Sequence, residues 1–288
     1  MKYWLACFLA ILLTLCSCLF AVDKLFPDKN IPKLDLFING EIKTVDTEEF
    51  ALRVLLAQGE NCESFENKKA LAVAARSCGV YISTFGCKHD DFDVCDDKSC
   101  CFALVDPLNA NEAFLAECVS AVEETKGLCL YNENLPAMAL FSLCNGSGSQ
   151  NCPQFPYNTA VGESKACDIH KKEAFADYSV LREAVDCDKD QILNNSLVVY
   201  KENRKCEFVI IGGKRFEGED FRNLLNLESN EFVLTFQEDK IKAETIGIGN
   251  GFGLSICGGD ALAKEGKSFE EILENYYPQL KLNKIYNN

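Results

Sequence analysis

Apolar and polar side chains largely alternate over residues 34–45 around Asn39-Gly40, the pattern of two short strands joined by a tight hairpin turn. Asp46 or Thr47 then caps a helix that has Glu48 and Glu49 in its first turn and Phe50, Val54 and Leu55 as its apolar stripe, and Gly59 stops it. A second helix is predicted over residues 67–85, where Ala70, Leu71, Ala74, Cys78, Ile82 and Phe85 recur at helical spacing. Its small side chains suit close packing against another backbone. Residues 111–126 repeat the helical pattern and end at Gly127, and residues 128–131 and 137–143 read as a strand pair across Asn132-Glu133-Asn134.

Periodicity fades over residues 148–190, which are rich in Cys, Pro, Asp and Lys and read as an irregular insertion braced by disulfides. Residues 197–211 and 232–246 read as strands separated by a helix over 219–225. Gly247, Gly249, Gly251 and Gly253 alternate before a helix that starts near Ser255, and Ser268-Phe269-Glu270-Glu271 is a capping box that opens the last helix. The spacing is not that of a dinucleotide fingerprint, and no strand with a following acid supports one, so the glycines read as a tight turn with positive φ or close backbone approach. Strands and helices mixed without βαβ alternation predict an α+β fold.

Composition adds a compartment. With 288 residues, 48% of them apolar, the chain can bury a substantial core, and residues 34–286 are taken as a single exported domain. Residues 1–21 carry Lys2, an apolar run from Trp4 to Leu15 and then small or polar residues, which reads as a signal peptide; the run is shorter than the ~20 residues a bilayer span needs. Two cleavage readings stand side by side: a lipobox ending at Cys18, which would make a lipoprotein, and an ordinary site after Ala21. Residues 22–33, with Pro27 and Pro32, form a linker. Localisation is therefore expected in the periplasm or outer cell envelope. Of the 17 cysteines, Cys7, Cys16 and Cys18 lie in the leader, which leaves an even 14 for the domain and an expectation of disulfides. A formal net charge of -15 argues against a nucleic-acid partner, since phosphate binding needs clustered Lys and Arg.

Three groups of residues could carry chemistry. Glu60 follows the helix stop in an acidic turn, where a carboxyl in a partly apolar pocket can keep a proton for a leaving oxygen; Glu63 is the alternative in the same turn. His89, Cys95, Cys100 and Cys101 lie within thirteen residues and offer the ligand types of a closed zinc site, with disulfide bonding as the competing reading. His170 belongs to no motif and reads as a surface residue.

The order of the motifs is more telling than any one of them. E-N-C-E-S-F (Glu60 to Phe65), A-V-A-A-R ending at Arg76, H-D-D-F-D-V-C-D-D-K-S-C-C (His89 to Cys101), F-S-L-C-N-G (Phe141 to Gly146), F-R-N-L-L-N-L (Phe221 to Leu227), G-I-G-N-G-F-G-L-S (Gly247 to Ser255) and Y-Y-P at Tyr276 follow one another. This series resembles the sporulation stage II protein D family of peptidoglycan lytic transglycosylases and their relatives. The resemblance implies a fold built around a glycan-binding cleft, with Glu60 as the catalytic acid and Arg76, Ser142, Gly146, Asn250, Gly251, Gly253 and Ser255 at the glycan. It implies cleavage of peptidoglycan strands stripped of stem peptides to 1,6-anhydromuramic ends, in wall remodelling, septation or cell division. No cofactor is required for that chemistry, although some members bind a structural zinc, and an N-acetylmuramoyl-L-alanine amidase is the implied functional partner. For Arg76, a muramic lactyl carboxylate and a nearby carboxylate of the chain itself are both open partners.

The chain departs from the family pattern where Asn61 and Cys62 replace Met and Pro, Cys100 a His, Phe102 and Leu104 a Gln and a Tyr, Phe141 a His, Asn250 a His, and Ile256-Cys257 a Gln-Tyr pair. These losses motivate an alternative, a catalytically degenerate glycan binder on the same scaffold. The cysteine content motivates a second, a disulfide-linked envelope protein.

Overall fold

The computed structural model describes residues 31–58, 61–97, 100–162, 170–201 and 204–285. Lys33–Ile38 (β1) and Glu41–Asp46 (β2) form the expected hairpin, with Ile38 opposite Glu41. Asn39 (φ 52°) and Gly40 (φ 86°) make its turn, a left-handed pair that suits the twist of the strands. Asp46 proves to be the cap of the next helix: Glu49 N donates to its carboxylate at 2.8 Å. That helix, Thr47–Gln58 (α1), buries Phe50, Val54 and Leu55 as its stripe predicts.

Phe65–Phe85 (α2) begins two residues earlier than its periodicity suggested and is buried along most of its length. Small residues allow this: a Cβ on Gly79 would come within 2.8 Å of the Phe50 ring, so the two helices meet nearly backbone to ring. Val94–Cys95 (β3) adds a parallel strand beside β1. Glu112–Glu124 (α3) is capped by Asn111, whose side chain accepts from Ala113 N and Phe114 N. Leu128–Asn132 (β4) turns over Glu133 to Leu135–Pro136 (β5). The single strand expected over 137–143 is instead split. Its start runs irregularly past β4, and Phe141–Ser142 (β6) leaves to join another sheet.

A second lobe follows. It comprises Lys171–Ala176 (β7), Tyr178–Val185 (α4), Lys189–Asn194 (α5), Ser196–Tyr200 (β8), Cys206–Ile211 (β9), Lys214–Glu217 (β10), Gly218–Leu224 (α6), Phe232–Phe236 (β11) and Ile241–Ile246 (β12). Two three-stranded sheets, β10-β9-β8 and β11-β12-β7, enclose Tyr178, Leu181, Ile192, Val209, Phe221, Phe232 and Ile241. The irregular insertion expected over 148–190 is thus corrected from residue 171 onward. β7 escaped notice because it is an edge strand whose Lys171, Lys172 and Glu173 are all exposed, so no apolar alternation marks it. The strand expected over 197–211 is a hairpin, β8 and β9.

The chain then returns to the main body through Leu254–Ser255 (β13), parallel to β6, and Ile256–Lys264 (α7). Phe269–Tyr276 (α8) opens on the expected capping box at Ser268 and Glu271, and Lys281–Lys284 (β14) closes against β4. The mixture of helices and short sheets is α+β, as the sequence implies. Among the described residues no helix is long and apolar enough to cross a membrane.

Candidate functional site

Glu60 lies outside the described residues; the turn that follows it does not. Asn61 Nδ2 donates to Gln58 O at 2.7 Å, closing the end of α1, and Cys62 is fully buried. Glu63 N and Ser64 N then donate to the two carboxylate oxygens of Asp260 at 2.9 and 2.8 Å. Asn67 Nδ2 donates to Asp260 at 3.0 Å and to Ile256 O at 2.7 Å. These bonds join the acidic turn to α7, almost two hundred residues away in sequence. The Glu63 carboxylate points out, 63% exposed, and pairs with Lys264 at 2.6 Å. The hydrogen bond from Lys264, and then its charge, hold that carboxyl below the usual carboxylate range.

Ser142 and the glycine turn are woven together. Ser142 Oγ donates to Asn250 Oδ1 at 2.8 Å and accepts from Gly251 N at 3.0 Å. Phe252 N donates to the same Asn250 oxygen at 3.0 Å, and Asn145 Nδ2 donates to Gly253 O at 2.8 Å. Ser255 Oγ caps α7 by accepting from Gly258 N at 3.1 Å. Gly253 has φ 60°, and a Cβ there would run into Leu140 O, so the turn requires glycine on both counts. At Gly146 a Cβ would collide with the Glu231 carboxylate and lie 2.9 Å from Ile246 O. Of the residues the resemblance puts at the glycan, the structure brings Ser142, Gly146, Asn250, Gly251, Gly253 and Ser255 into one cluster. All but Asn250 are buried there, so their evident work is to shape the turn.

Arg76 calls for a correction. Its guanidinium is fully buried, pairs with the equally buried Glu48 at 2.6 Å, and donates to Val122 O at 3.2 Å and Leu128 O at 3.1 Å. Of its two open partners, the carboxylate of the chain itself is the one present. The donors that would grip a lactyl carboxylate are committed inside the body.

His89, Cys95, Cys100 and Cys101 do meet. Their ligand atoms all lie within 4.8 Å of one another. His89 Nε2 is 3.2 Å from Cys101 Sγ and 3.6 Å from Cys100 Sγ, and the two sulfurs are 3.9 Å apart. Ordinary zinc bond lengths set tetrahedral edges of about 3.8 Å between sulfurs and about 3.6 Å between sulfur and nitrogen, so the donor set fits that ion. Cys95 is delivered by β3, anchored opposite Phe37, and the His89 ring lies against Phe92, which stacks on Phe37 at 5.0 Å.

Elsewhere the cysteines correct an expectation. Cys144 is disulfide-bonded, but twelve described cysteines carry no disulfide, and six of them outside the His-Cys group are buried in the packing as small apolar side chains, so a disulfide framework is not what holds the described core together. Burial pushes the thiols of Cys118, Cys129 and Cys206 up to about 12. His170 is half-buried rather than on the surface, its Nδ1 3.7 Å from Cys257 Sγ.

Sequence reasoning missed Asp260, Asn67, Lys205 and Glu231. Asp260 and Asn67 lie on helices whose apolar stripes drew the attention, and a buried polar residue leaves no periodic signal. Ser147 donates to Glu231 from both N and Oγ, at 2.8 and 2.6 Å, and Lys205 Nζ donates to Asn145 O, which ties the second lobe to the segment after Ser142. Nearby, Tyr200, Lys201, Arg204, Phe232 and Ile246 help line a hollow of about 220 Å³ that touches none of the nominated site residues.

Known proteins give these observations a frame. The profile of the family described as Stage II sporulation protein matches residues 39–131, from the β1–β2 hairpin through the acidic turn and the His-Cys group to β4. Stage II sporulation protein D of Bacillus subtilis (strain 168) is 25% identical over 257 residues, which is 83% of this chain and 75% of that protein. Stage II sporulation protein D of Bacillus amyloliquefaciens is 25% identical over 172 residues, 57% of this chain and 50% of its own length.

Proposed function

From this chain's resemblance to the stage II sporulation protein D family, we infer that it acts on the cell wall as a lytic transglycosylase. Its substrate is peptidoglycan glycan stripped of stem peptides, and Glu60 is its acid. The observation that carries this reading is the convergence of the acidic turn with the glycine turn: Asp260 and Asn67 bind the first to the helix that the second opens. Proton donation to a glycosidic oxygen needs a carboxyl that stays protonated. Glu63, exposed and paired with Lys264, is biased to the ionised form, which favours Glu60 over its alternative.

The test is incubation of the mature protein, with and without Glu60→Gln, on amidase-treated glycan strands, followed by mass spectrometry for 1,6-anhydromuramic ends. Ends from the wild type and a loss of at least 100-fold in the variant are expected. A folded wild type that sediments with glycan and yields no ends would instead establish the binder reading. That reading draws on two observations: Asn250 cannot titrate as the family's His does, and Arg76 is withdrawn into the core. In keeping with the enzyme reading, the protein would work outside the cytoplasm beside an amidase that strips the peptides, with Cys18 as its candidate lipid anchor.

His89, Cys95, Cys100 and Cys101 are proposed to hold a structural zinc ion. It would cross-link His89, Cys100 and Cys101 to Cys95 of β3 and leave no open position for substrate. Metal analysis of protein purified without reductant is expected to give one zinc per chain, lost in Cys101→Ser. No zinc, together with these thiols blocked to alkylation, would identify disulfides instead.

A further inference from the structure

Asp260 is the one buried carboxylate that reaches from α7 to the acidic turn, and nothing in the proposed chemistry uses it. Its side chain is 6% exposed. One oxygen accepts from Glu63 N at 2.9 Å, and the other accepts from Ser64 N at 2.8 Å and Asn67 Nδ2 at 3.0 Å. Glu63 N and Ser64 N belong to the residue before the cap of α2 and to the cap residue itself, and the second is ordinarily met by a side chain of the helix's own first turn. Here Ser64 occupies the cap position and its side chain makes no capping bond. The acceptor for the amide of the cap residue, the place a capping-box side chain at Asn67 would serve, is supplied from another helix.

The arrangement is over-determined. Asn67 Nδ2 also donates to Ile256 O at 2.7 Å, and Lys68 Nζ donates to Glu63 O at 2.8 Å, so the peptide around Glu63 is held from both sides. Gly259 lies flat against Asn67, where a Cβ would strike the Asn67 carboxamide, and this lets α7 approach closely enough for Asp260 to reach. Ser255 fixes the start of α7 directly after the glycine turn. A shift of the glycine turn therefore moves Asp260, and with it the backbone three residues after Glu60.

We propose that Asp260 is a positioning residue. It sets the acidic turn in register with the glycine turn, so that the acid of this turn meets a strand bound along that turn. It acts through the backbone at Glu63 and Ser64, not by touching the glycan. This rests on the transglycosylase reading for its effect on rate, but the hold on the turn can be measured independently.

The experiment compares wild type, Asp260→Ala and Asp260→Asn in the mature protein, reading both release of anhydro ends and amide hydrogen exchange of residues 57–66. Asn keeps one acceptor oxygen where Ala keeps none. For Asp260→Ala the expected result is a fall in kcat of about 10- to 100-fold with KM changed less than threefold, and faster exchange confined to the turn, the scale of loss when a catalytic group is misplaced without losing its substrate. Asp260→Asn should fall between. Unchanged exchange at Glu63 and Ser64 in a folded Asp260→Ala overturns the proposal, and so does full kcat with a loosened turn. If the wild type itself releases no ends, the reaction assigned above fails while the exchange data still decide whether Asp260 holds the turn. A variant that fails to fold is replaced by Gly259→Ala, which pushes α7 off Asn67 and is expected to loosen the same two amides.

Discussion

The main body and the second lobe each bury a cation against a glutamate, and the two pairs serve different ends. Arg76 and Glu48 are both fully buried, and the groups that meet the guanidinium, Glu48, Val122 O, Thr125 and Leu128 O, belong to the main body. Lys205 and Glu231 are buried as deeply, yet they reach out of their lobe to Asn145 and Ser147 in the segment after β6. The first pair locks three helices and a strand of one core; the second is a clasp between lobes. A charged residue in a familiar motif is therefore no guide to ligand contact until the groups facing it are known.

Removing one acid at a time separates the two pairs. Glu48→Ala leaves the Arg76 guanidinium buried without its carboxylate and is expected to cost about 3–5 kcal/mol, read as a lowered denaturant midpoint for the whole chain. Glu231→Ala leaves Lys205 its bond to Asn145 O and is expected to cost less, about 1.5–3 kcal/mol. Its signature should be local: faster proteolysis near residues 145–150, with the main body intact. Equal, global losses from both variants would show that the clasp is no clasp.

The two regions also respond to alkaline pH, with a smaller effect. Cys118 and Cys129 in the main body and Cys206 in the lobe have thiols raised to about 12 by burial. The native state keeps these protons while the unfolded chain releases them near the usual thiol value of about 8.5, so stability is held below that pH and declines as pH rises from about 8.5 toward 12. Replacing Cys118 with Ala should flatten the alkaline loss of the main body and leave that of the lobe alone, as followed by chemical denaturation at pH 8 and pH 10. The same burial predicts that exposed Cys87 is alkylated in native protein long before these three.

Much of the scaffold was legible because it rests on local rules. Asn39-Gly40, the stripe of α1, the small-residue helix α2 and the capping box at Ser268 each name their structure within a few residues. Of the strands that escaped, β7, β10 and β14 are edge strands with polar faces, where no apolar period is needed, and β3 and β13 are only two residues long. The split of residues 135–142 between two sheets followed from a partner, β13, more than a hundred residues away.

The candidate sites divide along the same line. Ligand types and spacing alone nominated His89, Cys95, Cys100 and Cys101, and the fold does gather them, because Cys95 ends β3 and the other three lie within six residues of it along the chain. The hairpin, the principal helices, the α+β class and the positive-φ glycines of the 247–253 turn were likewise readable from sequence, since backbone sterics and side-chain periodicity act over a few residues. Tertiary packing, by contrast, buries Arg76 against Glu48, leaves most of the described cysteines as thiols, and lets Asp260 hold the backbone ahead of a helix it does not belong to. The fates of Arg76 and Asp260 depend on which hydrogen-bonding partner a buried polar group meets, and that partner is supplied by a segment 28 to 197 residues distant along the chain.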